Sequence, residues 1–263
     1  MRKIVTTISN ANQTVTPLET IDAIYKAGFK DVFIEWYNKD WEITQEQQLE
    51  YVQKCGLNVI FAHLGYQGIN NLWIENEAGE ALVERYQKDL QICKENGIDL
   101  VCMHLTSKSE APGPNETGIR RLQIIADTAK QLGIKIAFEN TKIKGYQEYV
   151  LNHIKNENVG ICLDSGHLHA HFQDELDFEM LKNKIFCVHL HDNFGVKDQH
   201  LIPFEGTIDW NWLTDQLKKC NYDGPITMEL VYQNEYVGNN LVEFYQKGYK
   251  AGKKIARLMK WSL

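Results

Sequence analysis

The sequence predicts an α/β fold, a single (β/α)₈ barrel, because short apolar runs alternate with longer amphipathic segments and about eight such runs occur. The length of 263 residues fits one barrel domain over residues 1–263. Hydrophobic residues make up 43% of the chain and charged residues 24%, which is typical of a globular protein with a substantial core. These proportions argue against fibrous and disordered proteins.

The predicted strands are apolar or β-branched runs. They lie at residues 3–9, 31–36, 58–64, 99–105, 134–140, 159–165, 185–191 and 225–231. Amphipathic segments of helical periodicity lie between or after them, at residues 17–28, 44–56, 81–97, 118–133 and 242–261. Pro17 and Gly28 stand at the start and end of the first segment, where these residue types favour helix boundaries. Two longer irregular stretches, 65–79 and 192–210, follow strands, where functional loops are expected.

Charge and cysteine usage limit the partners and the compartment. The chain carries 28 Lys and Arg against 35 Asp and Glu, a net charge of −7, so nucleic acid is not an expected partner. No apolar run approaches the roughly 20 residues that span a bilayer, and the start lacks a signal-peptide hydrophobic region. We expect no membrane association and a cytoplasmic location. The six cysteines are scattered without a CxxC pair and are interpreted as reduced core thiols.

An ionisable side chain stands at or beside the end of most predicted strands. These residues are Glu35, His63, His104, Glu139, Asp164, His189 and Glu229. In a (β/α)₈ barrel the strand ends converge on one mouth, so the side chains become neighbours. Several carboxylates in a low-dielectric cup repel one another unless a cation neutralises them. We therefore predict a divalent metal site; the mixed donors suit Mn²⁺, Zn²⁺, Co²⁺ or Fe²⁺, with Mg²⁺ also open, and disfavour a thiolate zinc site.

The first strand-end residues have more than one interpretation. Glu35 fits a rim salt bridge or a buried polar contact as well as a substrate-binding role. For His63 and His104, a ligand or substrate-binding role is favoured over plain packing. In the DxxH segment, Asp164 and His167 are expected to flank the mouth.

Further histidines follow the DxxH segment in the sequence. His169 and His171 are better explained as solvated residues of a helix start. The period of two in CVHLHDN places His189 and His191 on one strand face. We favour His189 as the metal ligand and His191 as a substrate-facing or supporting residue, with the reverse assignment open. The segment Asp198–Gln199–His200 is a weak DxH motif beside the mouth.

Together these motifs resemble the xylose isomerase-like TIM barrel superfamily. The resemblance covers nearly the whole chain and rests on HLG at His63, MHL at His104, FEN at Glu139, LDSGH from Leu163, VHLHDN from Val188, DQH at Asp198 followed by IDW, and MEL at Glu229. The superfamily contains sugar isomerases and epimerases, inosose and dehydroshikimate dehydratases, and endonuclease IV repair enzymes. Its ketose 3-epimerase branch implies one divalent ion on Glu139, Asp164, His189 or His191, and Glu229.

The resemblance implies a metal-dependent isomerase or epimerase acting on a sugar, sugar phosphate or polyol. Glu139 and Glu229 would be the catalytic acid and base, exchanging a proton through an enediolate that the ion stabilises. The implied substrate-binding residues are His63, His104, His167, His191 and Glu35. Trp36, Tyr66 and Phe194 are aromatic candidates for stacking on a sugar ring, with plain packing equally open. Exposed loop aromatics also raise the expectation of a homodimer.

Three alternatives remain. A dehydratase of the inosose or dehydroshikimate type shares the enolate chemistry. An endonuclease IV-like phosphodiester hydrolase with several zinc ions would use the additional ligands His63, His104, His167, Asp198 and His200. Against it, the segment NTKIKGYQ after Glu139 lacks the Gly-Gln of those enzymes, and no basic DNA-recognition loop is evident. A sugar-binding barrel without turnover is less favoured, because both candidate acid/base glutamates are present.

Overall fold

The computed structural model describes residues 2–8, 15–36, 44–107, 110–233 and 236–260. The strands are β1 (Ile4–Ile8), β2 (Asp31–Glu35), β3 (Asn58–His63), β4 (Leu100–His104), β5 (Lys135–Glu139), β6 (Val159–Asp164), β7 (Ile185–His189) and β8 (Ile226–Met228). The helices are α1 (Pro17–Ala27), α2 (Gln45–Lys54), α3 (Glu77–Glu95), α4 (Glu116–Leu132), α5 (Tyr146–His153), α6 (Ser165–Phe172), α7 (Trp210–Lys219) and α8 (Leu241–Leu258), with a 3₁₀ helix at Ile69–Trp73.

The eight strands form one sheet in the order β7-β6-β5-β4-β3-β2-β1-β8, and the paired strands are parallel. The barrel closes between β7 and β8 through an isolated bridge. The Leu190 amide donates to the Thr227 carbonyl at 2.9 Å, and the Glu229 backbone amide donates to the Leu190 carbonyl at 3.1 Å. The predicted (β/α)₈ barrel is confirmed. All strand ends that carry polar residues therefore meet at one mouth.

Local sequence signals explain where the helices begin and end. Thr16 caps α1, and its backbone N–H donates to Glu19 at 2.7 Å in a capping box. Gly28 ends the helix at φ 102°, a left-handed conformation that glycine adopts at little cost. Helix α2 has the same capping box between Thr44 and Gln47. The helices cover the outside of the sheet with their apolar faces.

The inside of the barrel is filled by a separate cluster of small and aromatic side chains. Its buried members are Val5, Phe33, Phe61, Cys102, Ala137, Cys162 and Cys187. Because side chains alternate along a strand, the residues two positions later face the same interior at the mouth. This register carries His63, His104, Glu139, Asp164 and His189 into the site.

The predicted boundaries extend too far in β7 and β8. Strand β8 ends at Met228, so Glu229 follows the strand directly, and β7 ends at His189, so His191 lies beyond it. The chain leaves the sheet here because only one bridge joins the two strands past this point. Ser9 and Trp261, which the predicted first strand and last helix include, lie outside the described residues. None of the helices in the described part of the chain is long and apolar enough to cross a membrane.

Candidate functional site

Glu139 is the centre of the polar cluster at the barrel mouth. Its Oε2 atom lies 3.0 Å from His63 Nε2 and 3.2 Å from His104 Nε2. The Cys102 thiol donates to the same oxygen at 3.4 Å. The other oxygen, Oε1, faces His167 Nδ1 at 3.3 Å. One carboxylate from β5 thus contacts residues from three other parts of the barrel, as the predicted convergence requires.

Four of the predicted metal ligands form a compact set. Glu139, Asp164, His189 and Glu229 each offer an atom, and these atoms all lie within 4.8 Å of one another. His189 Nδ1 lies 3.5 Å from Glu139 Oε1 and 3.8 Å from Glu229 Oε1. The imidazole of His189 is held by stacking on Phe33, with ring centroids 5.1 Å apart. We call these four residues the carboxylate set.

A second group lies beside the carboxylate set around Asp198, on the segment after β7. Asp198 Oδ2 lies 3.1 Å from His167 Nε2 and 3.2 Å from His200 Nε2. His191 connects the two groups, with Nε2 at 3.0 Å from Asp164 Oδ2 and Nδ1 at 3.6 Å from Asp198 Oδ1. His189 therefore lies in the carboxylate set and His191 beside it, which agrees with the favoured assignment; the ligand role itself stays a prediction.

Backbone and side-chain hydrogen bonds fix Asp164 at the start of α6. The Asp164 amide donates to Asn140 Oδ1 at 2.7 Å, and Asn140 Nδ2 donates back to the Asp164 carbonyl at 2.9 Å. Asp164 Oδ1 accepts from the His167 amide at 2.6 Å and so caps the helix. A Cβ atom on Gly166 would lie 1.9 Å from the His191 ring, so only glycine allows that imidazole to approach α6 this closely.

The segment that carries Asp198 and His200 is anchored by one buried carboxylate, Asp192. Its two oxygens accept four N–H groups at 2.9 to 3.1 Å, from the amides of Asn193, Phe204 and Ile208 and the indole of Trp210. A Cβ atom on Gly206 would lie 2.3 Å from Asp192 Oδ1. Hydrogen bonds between Asp192 of the DN motif and the IDW segment therefore hold this loop in place.

The carboxylates hold several site histidines in the charged form. Burial alone lowers the pKa of His189, but the charges of Glu229 and Glu139 outweigh burial and raise the pKa to about 10. Burial also opposes the charged form of His200, yet its hydrogen bond to Asp198 raises the pKa to about 9. Protons on the histidines therefore balance the negative charge of the neighbouring carboxylates.

The carboxylates differ from one another. Burial raises the pKa of Glu229. Burial acts in the same direction at Glu139, but the neighbouring histidines, His189 first, hold its pKa well below the usual range. Burial is likewise outweighed at Asp164, whose pKa falls to about 2 beside His167 and His191. Glu139 is thus the ionised glutamate of the pair and Glu229 the one that burial drives toward its neutral form.

Unpartnered polar atoms in the buried cup fit a cation. Among the described residues, His189 Nδ1 and Nε2 and Glu229 Oε2 have no hydrogen-bond partner although they are buried. Buried polar atoms are normally hydrogen-bonded, so their convergence indicates a missing partner. Three carboxylates and an imidazole nitrogen are donors that suit Mn²⁺, Co²⁺, Zn²⁺ or Mg²⁺. The donor set therefore fits a divalent ion.

A family model described as xylose isomerase-like TIM barrel matches residues 21–261. The chain belongs to this family. The family assignment agrees with the barrel topology and with the polar strand ends that suggested it.

Several curated relatives are similar to the chain over part of its length. An inosose isomerase from Bacillus subtilis is 25% identical over 59% of the chain and 62% of its own length. A D-psicose 3-epimerase from Enterocloster bolteae is 24% identical over 77% of the chain and 73% of its own length. A probable endonuclease 4 from Mycoplasma mycoides is 26% identical over 43% of the chain and 45% of its own length. The chain spans less than half the length of the first curated relatives that it matches.

Solved structures share the fold of this chain. The IOLI protein with a binding zinc atom superposes with a TM-score of 0.78 at 21% identity, covering 99% of both chains. A D-tagatose 3-epimerase-like protein gives a TM-score of 0.75 at 20% identity and covers 98% of both chains. At 20 to 21% identity, this similarity shows that the chain shares the fold of these two proteins.

The remaining predicted site residues differ in their placement. Glu35 ends β2 in register with His63 and is half-buried at the mouth. Tyr66 is 44% exposed and stacks on His104 with ring centroids 4.3 Å apart, so its outer face is accessible. Phe194 is 54% exposed on the loop after β7. Trp36 is only 2% exposed and packs in the core, so of its two interpretations packing is the one observed.

The expectation for His169 and His171 is wrong. Both lie in the last turn of α6 and are half-buried. His169 contacts Asp174 Oδ2 and Thr207 Oγ1, each at 2.9 Å. Helix α6 packs against the loop after β7, and the His169 imidazole contacts protein atoms of that loop.

Sequence reasoning missed three residues that shape the site. From the sequence, Cys102 is expected to be a core thiol, and neither Asn140 of the FEN motif nor Asp192 of the VHLHDN motif is assigned a role of its own. The period of two from His104 back to Cys102 was a usable signal, because both face the barrel interior. Asn140 contacts Asp164, which is 24 positions away in the chain, and Asp192 contacts Trp210, which is 18 positions away. A local sequence pattern does not reveal contacts at these separations.

Proposed function

We propose that this protein is a metal-dependent isomerase or epimerase acting on a sugar, sugar phosphate or related polyol. The observation that carries the proposal is the carboxylate set, in which Glu139 at the end of β5 and Glu229 directly after β8 approach one His–Asp pair from different sides of the barrel. Two glutamates facing one small space suit the removal and return of a proton at one carbon.

The two glutamates have the opposite proton affinities that such a reaction needs. The surrounding histidines keep Glu139 ionised, so it is the residue suited to take a proton from the carbon next to a carbonyl. Burial raises the pKa of Glu229, which suits it to return a proton to the other face. Reversal of these roles gives the reaction in the other direction. Epimerisation follows when the proton returns to the opposite face of the carbon.

Other residues would bind and orient the substrate. His167 lies between Glu139 and Asp198 and is suited to hold a hydroxyl or carbonyl oxygen. His63 and His104 line the same wall, and the exposed face of Tyr66 offers an apolar surface to a sugar. These roles agree with the substrate-binding residues predicted from the sequence.

Glu139, Asp164, His189 and Glu229 would hold the divalent ion. When bound, such an ion acts as a Lewis acid that polarises a carbonyl and stabilises negative charge on its oxygen. Asp164, fixed by Asn140 and by the helix amide, would keep the ligand geometry rigid while the glutamates work. Names of relatives give independent support, since they include an inosose isomerase and a D-psicose 3-epimerase.

Proton exchange with solvent tests the proposal directly. The protein, loaded separately with Mn²⁺, Co²⁺, Mg²⁺ or Zn²⁺, is incubated in D₂O with a panel of ketoses, ketose phosphates and inososes. NMR then follows deuterium entering the carbon next to the carbonyl, new epimers, and any product of water loss. We expect metal-dependent exchange with at least one substrate. Tight sugar binding without exchange under any ion would instead identify a binding barrel and overturn the proposal.

A multinuclear phosphodiester hydrolase is the second candidate. The observation that favours it is the His167–Asp198–His200 group, which could hold a further ion beside the carboxylate set. A relative named probable endonuclease 4 points the same way. The net charge of −7 opposes attraction of a DNA backbone, so this function ranks second.

A further inference from the structure

Two different ligand sets share Glu139 and His189. One is the carboxylate set, which adds Asp164 and Glu229. The other adds His63 and Cys102, and its four ligand atoms also lie within 4.8 Å of one another. We call His63, Cys102, Glu139 and His189 the thiol set. The first set offers three carboxylates and one imidazole, and the second offers one thiol, one carboxylate and two imidazoles.

Cys102 lies inside the barrel, directly beneath the polar cluster at its mouth; we call this position the floor of the cup. It lies on β4 two residues before His104, so its side chain faces the barrel interior. The residue is completely buried, and its thiol donates to Glu139 Oε2 at 3.4 Å, the same oxygen that lies 3.0 Å from His63 Nε2. Both nitrogens of the neighbouring His189 are buried without a hydrogen-bond partner among the described residues. The thiol therefore lies within reach of an ion that the two histidines and Glu139 would share.

The two sets differ in the ions that they favour. Thiolate and imidazole ligands suit zinc and similar borderline-soft ions, which are commonly bound by four such ligands. Carboxylate-rich sets suit the harder ions Mg²⁺ and Mn²⁺. A four-residue set with one cysteine is complete for zinc, whereas magnesium and manganese gain nothing from a sulfur ligand.

We propose that Cys102 is a metal ligand and that the chemical hardness of the ion decides which set holds it. This inference rests on the metal dependence of the proposed function. A zinc-like ion is held by the thiol set at the floor of the cup, and manganese or magnesium is held by the carboxylate set nearer the mouth. When zinc binds, the Cys102 S–H bond is replaced by an S–Zn bond and the proton leaves to solvent. Asp164 and Glu229 are then not ligands of the zinc ion.

Spectroscopy tests the inference without any need for turnover. Metal-free protein is titrated with Zn²⁺, and X-ray absorption at the zinc edge is expected to detect one sulfur neighbour at about 2.3 Å. Titration with Co²⁺ is expected to produce a sulfur-to-cobalt charge-transfer band in the near ultraviolet. Spin resonance of bound Mn²⁺ is expected to be the same in the wild type and in Cys102→Ser. A zinc shell made only of nitrogen and oxygen overturns the inference.

Two serine variants localise the sulfur. Cys102→Ser should lose the cobalt band and weaken zinc binding by more than about tenfold, while its manganese affinity stays within about twofold. Cys93→Ser is the matched control, because Cys93 is also completely buried but lies in the outer core and outside the thiol set. Equal zinc affinity and equal cobalt spectra in the two variants contradict the role of Cys102.

The outcomes separate this inference from the proposed function. If the serine variants fail to fold, the absorption experiment on the wild-type protein still decides the sulfur ligand. A protein that exchanges substrate protons but binds zinc without sulfur retains the proposed function and loses the inference. A protein that binds zinc through sulfur but exchanges no proton with any ion retains the metal assignment and loses the isomerase function.

Discussion

His63 Nε2 lies 3.0 Å from Glu139 Oε2, although the two residues are 76 positions apart in the chain. The contact joins the ends of β3 and β5 across the barrel mouth and forms one side of a cluster that also contains His104 and Cys102. Glu139 therefore combines two tasks, as the acceptor for several donors and as the candidate base. Its replacement should affect both metal binding and proton transfer.

Glu139→Gln and Glu229→Gln should each lower solvent proton exchange by at least about a hundredfold, because each removes one acid/base group. Glu139→Gln should also weaken metal binding more than Glu229→Gln, since Glu139 belongs to both ligand sets. Deuterium exchange by NMR and metal titration by calorimetry measure the two effects. Glu157→Gln, at an exposed position, is the control for loss of one negative charge. Full activity in either site variant would refute the assigned acid/base pair.

Metal-free protein should lose stability as pH rises from neutral toward 10. The folded-state pKa values of His200 and His189 are raised to about 9 and about 10. Their unfolded values are about 6.5, so their contribution to stability is complete below that pH and disappears as pH rises through the folded values. Urea unfolding at pH 7, 8, 9 and 10 measures the trend, and His200→Gln should flatten it. A rise in stability over this range would contradict the charged-histidine description.

Metal binding should release protons at pH 7 to 8. A ligand histidine must lose its proton to bind an ion, and His189 is protonated in the metal-free cup at this pH. Calorimetry in buffers of different ionisation enthalpy counts the released protons. His153→Gln, a change at an exposed position of α5, should release the same number. Binding without proton release would indicate that His189 is neutral or is not a ligand.

Asp192→Asn should destabilise the protein by about 2 kcal/mol, because the amide cannot accept all four N–H groups that the carboxylate accepts. The variant should also disturb the loop that holds Asp198 and His200. Chemical denaturation measures the stability, and tryptophan fluorescence reports on Trp210 beside the carboxylate. Asp215→Asn, on the exposed face of α7, is the control and should change stability little. Equal effects in the two variants would exclude the anchoring role.

Gly118→Ala should cost about 1 to 3 kcal/mol, because the new Cβ atom would lie 2.0 Å from the Trp73 ring. Trp73 ends the 3₁₀ helix of the loop after β3, and its indole donates to the Leu105 carbonyl at 2.7 Å. Gly113→Ala is the matched control, since no atom lies within 4 Å of its added Cβ. Thermal unfolding compares the two. A tolerated Gly118→Ala would mean that the indole can move without loss.

Zinc-loaded protein should not cleave DNA at abasic sites. The negative net charge gives little attraction to a phosphate backbone, even though His167, Asp198 and His200 are in contact. A gel assay with an abasic duplex at low and moderate salt measures cleavage. Cleavage that disappears in His200→Gln would favour the hydrolase over the isomerase.

The polar strand ends were predictable because barrel topology alone brings them together. Glu139, Asp164, His189 and Glu229 could be named from strand patterns, since each stands at the end of an apolar run or directly after it. The same reasoning could not tell how His191 and His189 divide their contacts, because both share one strand face. Their different contacts depend on where β7 ends. The strand ends at His189, and beyond it only the Leu190–Met228 bridge joins the described residues of this segment to β8.

Periodicity and strand-end position are local properties, so the amino-acid sequence predicts the barrel, the order of its elements and the identity of the candidate ligands. Three further facts are visible only in the folded chain: Trp36 is buried, His169 contacts Thr207, and Cys102 lies against Glu139. These facts depend on the rotation of side chains and on the packing of segments far apart in sequence. The sequence pattern therefore predicts which side chains reach the barrel mouth, whereas the contacts among them depend on the packing.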